Sequence, residues 1–185
     1  MLITHDREKL IQSIIFFVQN TKNCGKVKLF KLLYFLDFEH FRDTGRSVTG
    51  LTYSAWPMGP VPVDLFAEIE TPQPDLAEAL HFKETPIRGG RQTMLTVTPQ
   101  IEFSDRHFTK RELAHMKRLA DRYKASLSDD MVEATHLENL PWDKVYSQPG
   151  GHQKPIPYEL AVRSQEAAEV MRIAAERKEL LEHLG

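Results

Sequence analysis

Residues 26–44, KVKLFKLLYFLDFEHFRDT, spread Val27, Leu29, Phe30, Leu32, Leu33, Tyr34, Phe35, Leu36, Phe38 and Phe41 around most of a helical circumference. A surface helix confines its apolar residues to one stripe, whereas one that is apolar nearly all round must be covered by other elements. Gly45 then supplies a left-handed stop. A helix from Lys26 to Thr44 is therefore expected at the centre of the fold, with everything else wrapped around it.

Upstream, Asp6 can cap a helix over about 6–21, because Leu10, Ile11, Ile14, Ile15 and Val18 recur at three- and four-residue spacing before Asn23-Cys24-Gly25 breaks the pattern. Downstream, Leu51 to Trp56 reads as a short strand stopped by Pro57-Met58-Gly59-Pro60, and Pro62 suits the first position of a helix through about Glu70. A Pro-rich turn is expected at Thr71 to Pro74. Leu80 to Thr98 resembles a hairpin turning at Arg88-Gly89-Gly90-Arg91, with Thr93, Leu95 and Val97 alternating beyond it.

Thr109 and Glu112 form a capping box for a helix to about Lys124, with Leu113, Met116, Ala120 and Tyr123 on its buried side. Ser128, Asp129 and Asp130 open another helix that ends before Pro141. From Pro141 to Pro157 six prolines and glycines argue against regular structure, although Trp142, Val145 and Tyr146 can anchor the segment. A final helix from Tyr158 to Leu184 carries only a narrow stripe: Ala167, Met171, Ala174, Leu181 and Leu184. The fold class that follows is α+β, mainly α: a central buried helix surrounded by helices, with a small antiparallel sheet packed to one side. Residues 1–157 form the main domain. Residues 158–185 are either part of the same globular unit or an extension that docks a partner.

Composition narrows the function. The 185 residues are 41% hydrophobic and 27% charged, with a formal charge of −2; a core can form without disulfide or metal staples, and no cofactor is called for. The near-neutral balance gives no overall attraction to nucleic acid or anionic membrane. A single cysteine, Cys24, precludes a disulfide framework and fits a reducing, cytoplasmic compartment. Neither a secretory signal at Met1 to Asp6 nor an apolar run near the roughly 20 residues of a membrane span is present, so no membrane association is expected.

Phosphate-loop, dinucleotide, nucleophile-elbow and His-Glu-x-x-His signatures are absent. The one arrangement suited to metal chemistry is a pair of Glu-x-x-His elements, Glu112/His115 and Glu133/His136, with Asp37/His40 as a third. Against it stands the plainer reading in which His115 is solvated and His136 makes a structural hydrogen bond. Cys24 has no catalytic signature around it. On the helix from 109 to 124, Lys110, Lys117 and Lys124 share one stripe, and Arg111, Arg118 and Arg122 a neighbouring one; such a face could meet phosphates or an acidic protein, or simply be solvated. Tyr53, Trp56, Met58 and Pro60 could form a stiff aromatic platform, or Tyr53 and Trp56 could cap the core. The terminal stripe suits a groove or another helix, or packing across the domain.

Lys31-Leu32-Leu33-Tyr34-Phe35-Leu36-Asp37, then Gly45-Arg46, Thr49-Gly50, Tyr53 and Gly59-Pro60-Val61-Pro62, followed by Glu133, His136 and Pro141-Trp142, resemble in that order the Panacea domain of SocA-like antitoxins over about residues 5–150. The resemblance implies a non-enzymatic bacterial or phage antitoxin of a type II toxin–antitoxin system. Such a protein neutralises a cognate protein toxin by direct binding, and in one mode delivers it to a protease as an adaptor. It implies no small-molecule substrate. The matched residues, Lys31, Leu32, Leu33, Tyr34, Asp37, Gly50, Tyr53, Gly59, Pro60, His136 and Trp142, read mainly as scaffold. For contact with the toxin the expected anchors are Tyr53, Trp56, Met58, Arg118, Met171 and Leu181. A metal-dependent enzyme and a nucleic-acid-binding module are the alternatives.

Overall fold

The computed structural model describes residues 4–86, 93–137, 140–162 and 167–184. Helix α1 (Asp6–Asn20) leads to α2 (Lys26–Thr44), and a hairpin of β1 (Tyr53–Trp56) and β2 (Gly59–Pro62) follows. Next come α3 (Val63–Glu68), α4 (Pro74–Ala79) and a second hairpin, β3 (Leu80–Pro86) with β4 (Thr93–Pro99). Helices α5 (Lys110–Arg122), α6 (Ser128–Thr135) and α7 (Pro141–Tyr146), a 3-10 turn at Tyr158–Ala161 and α8 (Ala167–Leu184) complete the chain. The α+β, mainly helical class is as read from the sequence.

Helix α2 is the centre. Leu29, Leu32, Leu33 and Leu36 are fully buried, and α1, α5, α6, α8, β2 and β4 all touch this helix. Gly45 ends it in the left-handed conformation (φ 70°), and its N–H bonds the Phe41 carbonyl. Four further buried residues on α2 are acidic or basic, Lys28, Lys31, Asp37 and His40.

Several elements depart from the sequence reading. Gly59 and Pro60 do more than stop a strand: they open β2, which pairs antiparallel with β1 in the register Trp56↔Gly59 and Tyr53↔Pro62. Pro60 and Pro62 occupy alternate positions of this edge strand, where a missing N–H breaks no ladder bond. On the other side of β1, residues 153–156 add an edge through Ala55 N to Lys154 O (2.8 Å) and Ile156 N to Tyr53 O (2.8 Å). Pro62 caps α3 instead of beginning it, and Pro74 starts a helix that the sequence reading did not foresee.

The stretch from 141 to 157, expected to be irregular, begins with a helix. Pro141 sits in its first turn, where proline's fixed φ helps and its absent donor is not needed. The terminal helix is interrupted: Tyr158–Ala161 is a 3-10 turn, and α8 starts at Ala167. On α5 the capping box is present, with Thr109 and Glu112 bonded reciprocally. Its buried side is Glu112, His115, Met116, Leu119 and Ala120, rotated from the expected stripe so that Leu113 is only half-buried. The expected turn at Arg88-Gly89-Gly90-Arg91 lies outside the described residues.

Candidate functional site

The tight turn between β1 and β2 is Pro57-Met58, and it lifts Met58 into solvent at 56% exposure. Trp56 at the end of β1 lies beside Phe66 of α3, with ring centroids 5.4 Å apart, and Phe66 faces Phe30 of α2 at 6.3 Å. Together with Val27, Pro57 and Val61 these side chains line an open groove of about 440 Å³. Two lysines border it, Lys26 and Lys31, and none of the lining residues is acidic. The Lys26 ammonium sits over the Phe66 ring, 4.4 Å from its centroid.

Lys31 has an unusual position. It is 1% exposed, and among the described residues its Nζ donates to a single acceptor, the Pro60 carbonyl, at 2.9 Å. Burial holds its pKa down at about 7. Gly59 makes the approach possible. Its φ of 94° is a conformation that side chains resist, and a Cβ there would come within 2.6 Å of Thr135 Oγ1 and 2.9 Å of Lys31 Cε.

The wall behind the hairpin is a ladder of rings. Trp142 donates its indole N–H to the Trp56 carbonyl at 3.0 Å. It stacks on His136 at 3.9 Å and on Tyr146 at 4.4 Å, and Tyr146 stacks on His152 at 4.2 Å. His136 was expected to make a structural hydrogen bond. Its role here is stacking, and its Nε2 is buried with no partner among the described residues. Burial, followed by the nearby Lys31 charge, lowers its pKa.

At the other end of α2 the chemistry is closed. The Asp37 carboxylate accepts from Val48 N and Thr49 N (both 2.8 Å), Thr49 Oγ1 (2.5 Å) and the Tyr53 hydroxyl (2.7 Å). Burial pushes its pKa up against these four donors. Tyr53 is 1% exposed and edge-on to Tyr34, so it cannot touch a partner: the need to bond Asp37 pulls it into the core. Gly50 closes against Asp6, and Leu32, Leu33 and Tyr34 fill the interior.

The remaining expected anchors fall elsewhere. Arg118 is exposed on α5, bonded to Glu39 at 2.6 Å and to His115 Nδ1 at 2.7 Å. Met171 and Leu181, each 38% exposed, lie on α8 along a cleft with Phe41 and Tyr158. Only Trp56 and Met58 share the groove. Sequence reading missed Phe66, Phe30 and Lys26 there; the alternation of apolar and charged residues around 26–31 was visible, but not which face would stay uncovered.

The paired carboxylates and imidazoles are engaged separately. Glu112 caps α5 and takes Lys9 Nζ at 2.6 Å, while Asp37 holds the 48–53 segment. His115 is buried, not solvated, and its Nε2 lies 3.3 Å from Asp43. No three His, Cys, Asp or Glu side chains among the described residues come together as a metal cluster. Cys24 is half-buried against the core, and desolvation raises its thiol to about 11, far from the reactive thiolate range. The basic residues of α5 named from the sequence are exposed. Among the described residues no helix is long and apolar enough to cross a membrane.

A small, mainly helical domain built on a buried central helix, with an apolar groove open beside it, defines the class. The family model described as antitoxin SocA-like, Panacea domain matches residues 29–143, over half of the 185-residue chain. The chain belongs to this family of SocA-like antitoxins. The match is shorter than the 5–150 span of the sequence resemblance, leaving α1 outside. No curated protein and no solved structure matches the chain.

Proposed function

We propose that this protein neutralises a cognate toxin by stoichiometric binding, in the cytoplasm and without catalysis, and that the groove between α2, α3 and the β1–β2 turn receives the toxin. The observation that carries this reading is the groove itself: Trp56, Met58, Phe66 and Phe30 are held on rigid elements, so a partner would meet them with little ordering cost. Rigid, concentrated apolar anchors of this kind dominate protein interfaces. With Lys26 and Lys31 beside it and no acid on its walls, the groove suits an apolar toxin segment flanked by Asp or Glu.

Residues 158–184 are proposed to belong to the same unit. A second reading, delivery of the toxin to a protease, would need a separate docking face, and Met171, Leu180 and Leu181 exposed on α8 favour that helix. Arg118 remains a candidate rim contact.

Co-expression with the protein encoded by the adjoining gene tests the neutralisation. That neighbour should be toxic alone and harmless beside this chain. Trp56→Ala and Met58→Asp should each weaken the complex about 30-fold or more, as truncated anchors do, while thermal unfolding stays near the parent. A toxin that binds both variants as tightly as the parent would move the interface off this groove. Deleting residues 167–184 should leave binding intact and abolish only protease-dependent clearance.

A further inference from the structure

On the side of the molecule where α1, α5 and α8 approach the end of α2, a second cavity of about 690 Å³ carries four basic side chains against three acidic ones on its walls. Arg46 follows the Gly45 stop of α2, Arg111 lies in the first turn of α5, and Arg177 comes from α8. α8 is brought close by Gly45, where a Cβ would stand 2.8 Å from the Val170 carbonyl. None of these three guanidiniums has a carboxylate partner among the described residues.

Two of the three acids on the cavity wall are already engaged: Glu112 takes Lys9 and the α5 cap, and Asp43 takes Arg42 and His115. The third, Asp6, stands at the start of α1 beside Gly50. Three arginines lining one cavity with no ion-pair partner among the described residues repel one another, and a protein of net charge −2 has ample acid with which to neutralise them. A planar guanidinium is suited to bidentate bonds with phosphate oxygens.

The cavity lining also includes His5 and His107. His5 stacks on His107 with centroids 4.1 Å apart and planes 26° from parallel. His5 holds φ 54°, a left-handed conformation that a non-glycine residue adopts at a cost, and strain of this kind collects at binding sites. The cavity's volume falls in the usual range for small-ligand sites.

We propose that this cavity binds a small anion carrying two or more linked phosphates, of nucleotide size, through Arg46, Arg111 and Arg177. Such a ligand would tie α1, α5 and α8 to the end of α2. The site is separate from the toxin groove and does not depend on that reading.

Isothermal titration of the full chain with pyrophosphate and with GTP, using adenosine as the phosphate-free control, tests the proposal. Pyrophosphate or GTP should bind one to one, and Arg111→Ala and Arg177→Ala should each weaken binding at least about tenfold. Lys117→Ala, on an exposed turn of the same helix as Arg111, should leave it unchanged, and all three variants should unfold near the parent temperature because Arg111 and Lys117 are exposed and the half-buried Arg177 has no ion-pair partner among the described residues. Tighter binding of GTP than of pyrophosphate places the base on His5 and His107; equal affinity places recognition in the phosphates alone. Absence of heat with either anion, binding that survives both arginine variants, or adenosine binding as tightly as GTP would overturn the assignment.

Discussion

Lys31 and Asp37 stand six residues apart on the same buried helix, and the structure treats them oppositely. Asp37 receives four donors from the 48–53 segment, so its charge is surrounded and its surroundings are locked. Lys31 has one acceptor among the described residues and lies at the foot of an open groove. A buried charge with every hydrogen bond made specifies a fold; one left largely unpaired weakens the fold and is retained where something else depends on it. The Asp37 end of α2 is scaffold. The Lys31 end is where the groove proposed to receive the toxin opens.

The sharpest way to break this contrast is Asp37→Ala. Four donors would lose their acceptor inside the core, and stability should fall by roughly 3–5 kcal/mol, seen as a drop on the order of 10 °C in the unfolding temperature. A loss below about 1 kcal/mol would mean that the network is not a lock. Lys31→Met should act in the opposite sense, stabilising the fold at pH 6 by roughly 1–4 kcal/mol while weakening toxin binding.

The pH dependence of the Lys31 effect has a definite sign. With the folded pKa near 7 and the ordinary value at 10.5, the unfolded chain holds more protons between those limits, so the parent gains stability as pH rises through that window. The advantage of Lys31→Met should therefore be complete below about pH 7 and shrink toward pH 10.5. Urea melts at pH 6, 8 and 10 would expose a flat difference, which would show that Lys31 carries no burial penalty.

A smaller effect comes from His40 and His115, which face each other edge-on at 5.5 Å on α2 and α5. Burial lowers both below the ordinary 6.5, aided at His115 by Arg118. The unfolded chain takes up protons first, so stability should decline as pH falls below 6.5. His115→Gln should flatten the slope; an unchanged profile would assign the acid sensitivity elsewhere. Smallest of all, Arg118→Ala should cost only a few tenths of a kcal/mol, because its pair with Glu39 is solvent-exposed on the arginine side.

Much of this could be read in the residue order. Ten apolar residues between Val27 and Phe41 determined that α2 would be central, and Thr109 with Glu112 determined where α5 begins. The Lys31 to Trp142 motif series determined the family, later matched over 29–143. These features are local or ordered along the chain, and periodicity and capping act over one or two helical turns.

Tertiary structure alone decided the rest. Pro141 to Tyr146 became a helix because Trp142 found the Trp56 carbonyl and two flanking rings, partners distant in sequence or dependent on the turn itself. Tyr53 was drawn inward by Asp37, whereas Trp56, three residues later, was left at the rim of a groove. Arg46, Arg111 and Arg177, scattered over 131 positions, met in one cavity. Which face of an element stays uncovered depends on what folds against it, and that information resides in long-range packing instead of in any window of the sequence.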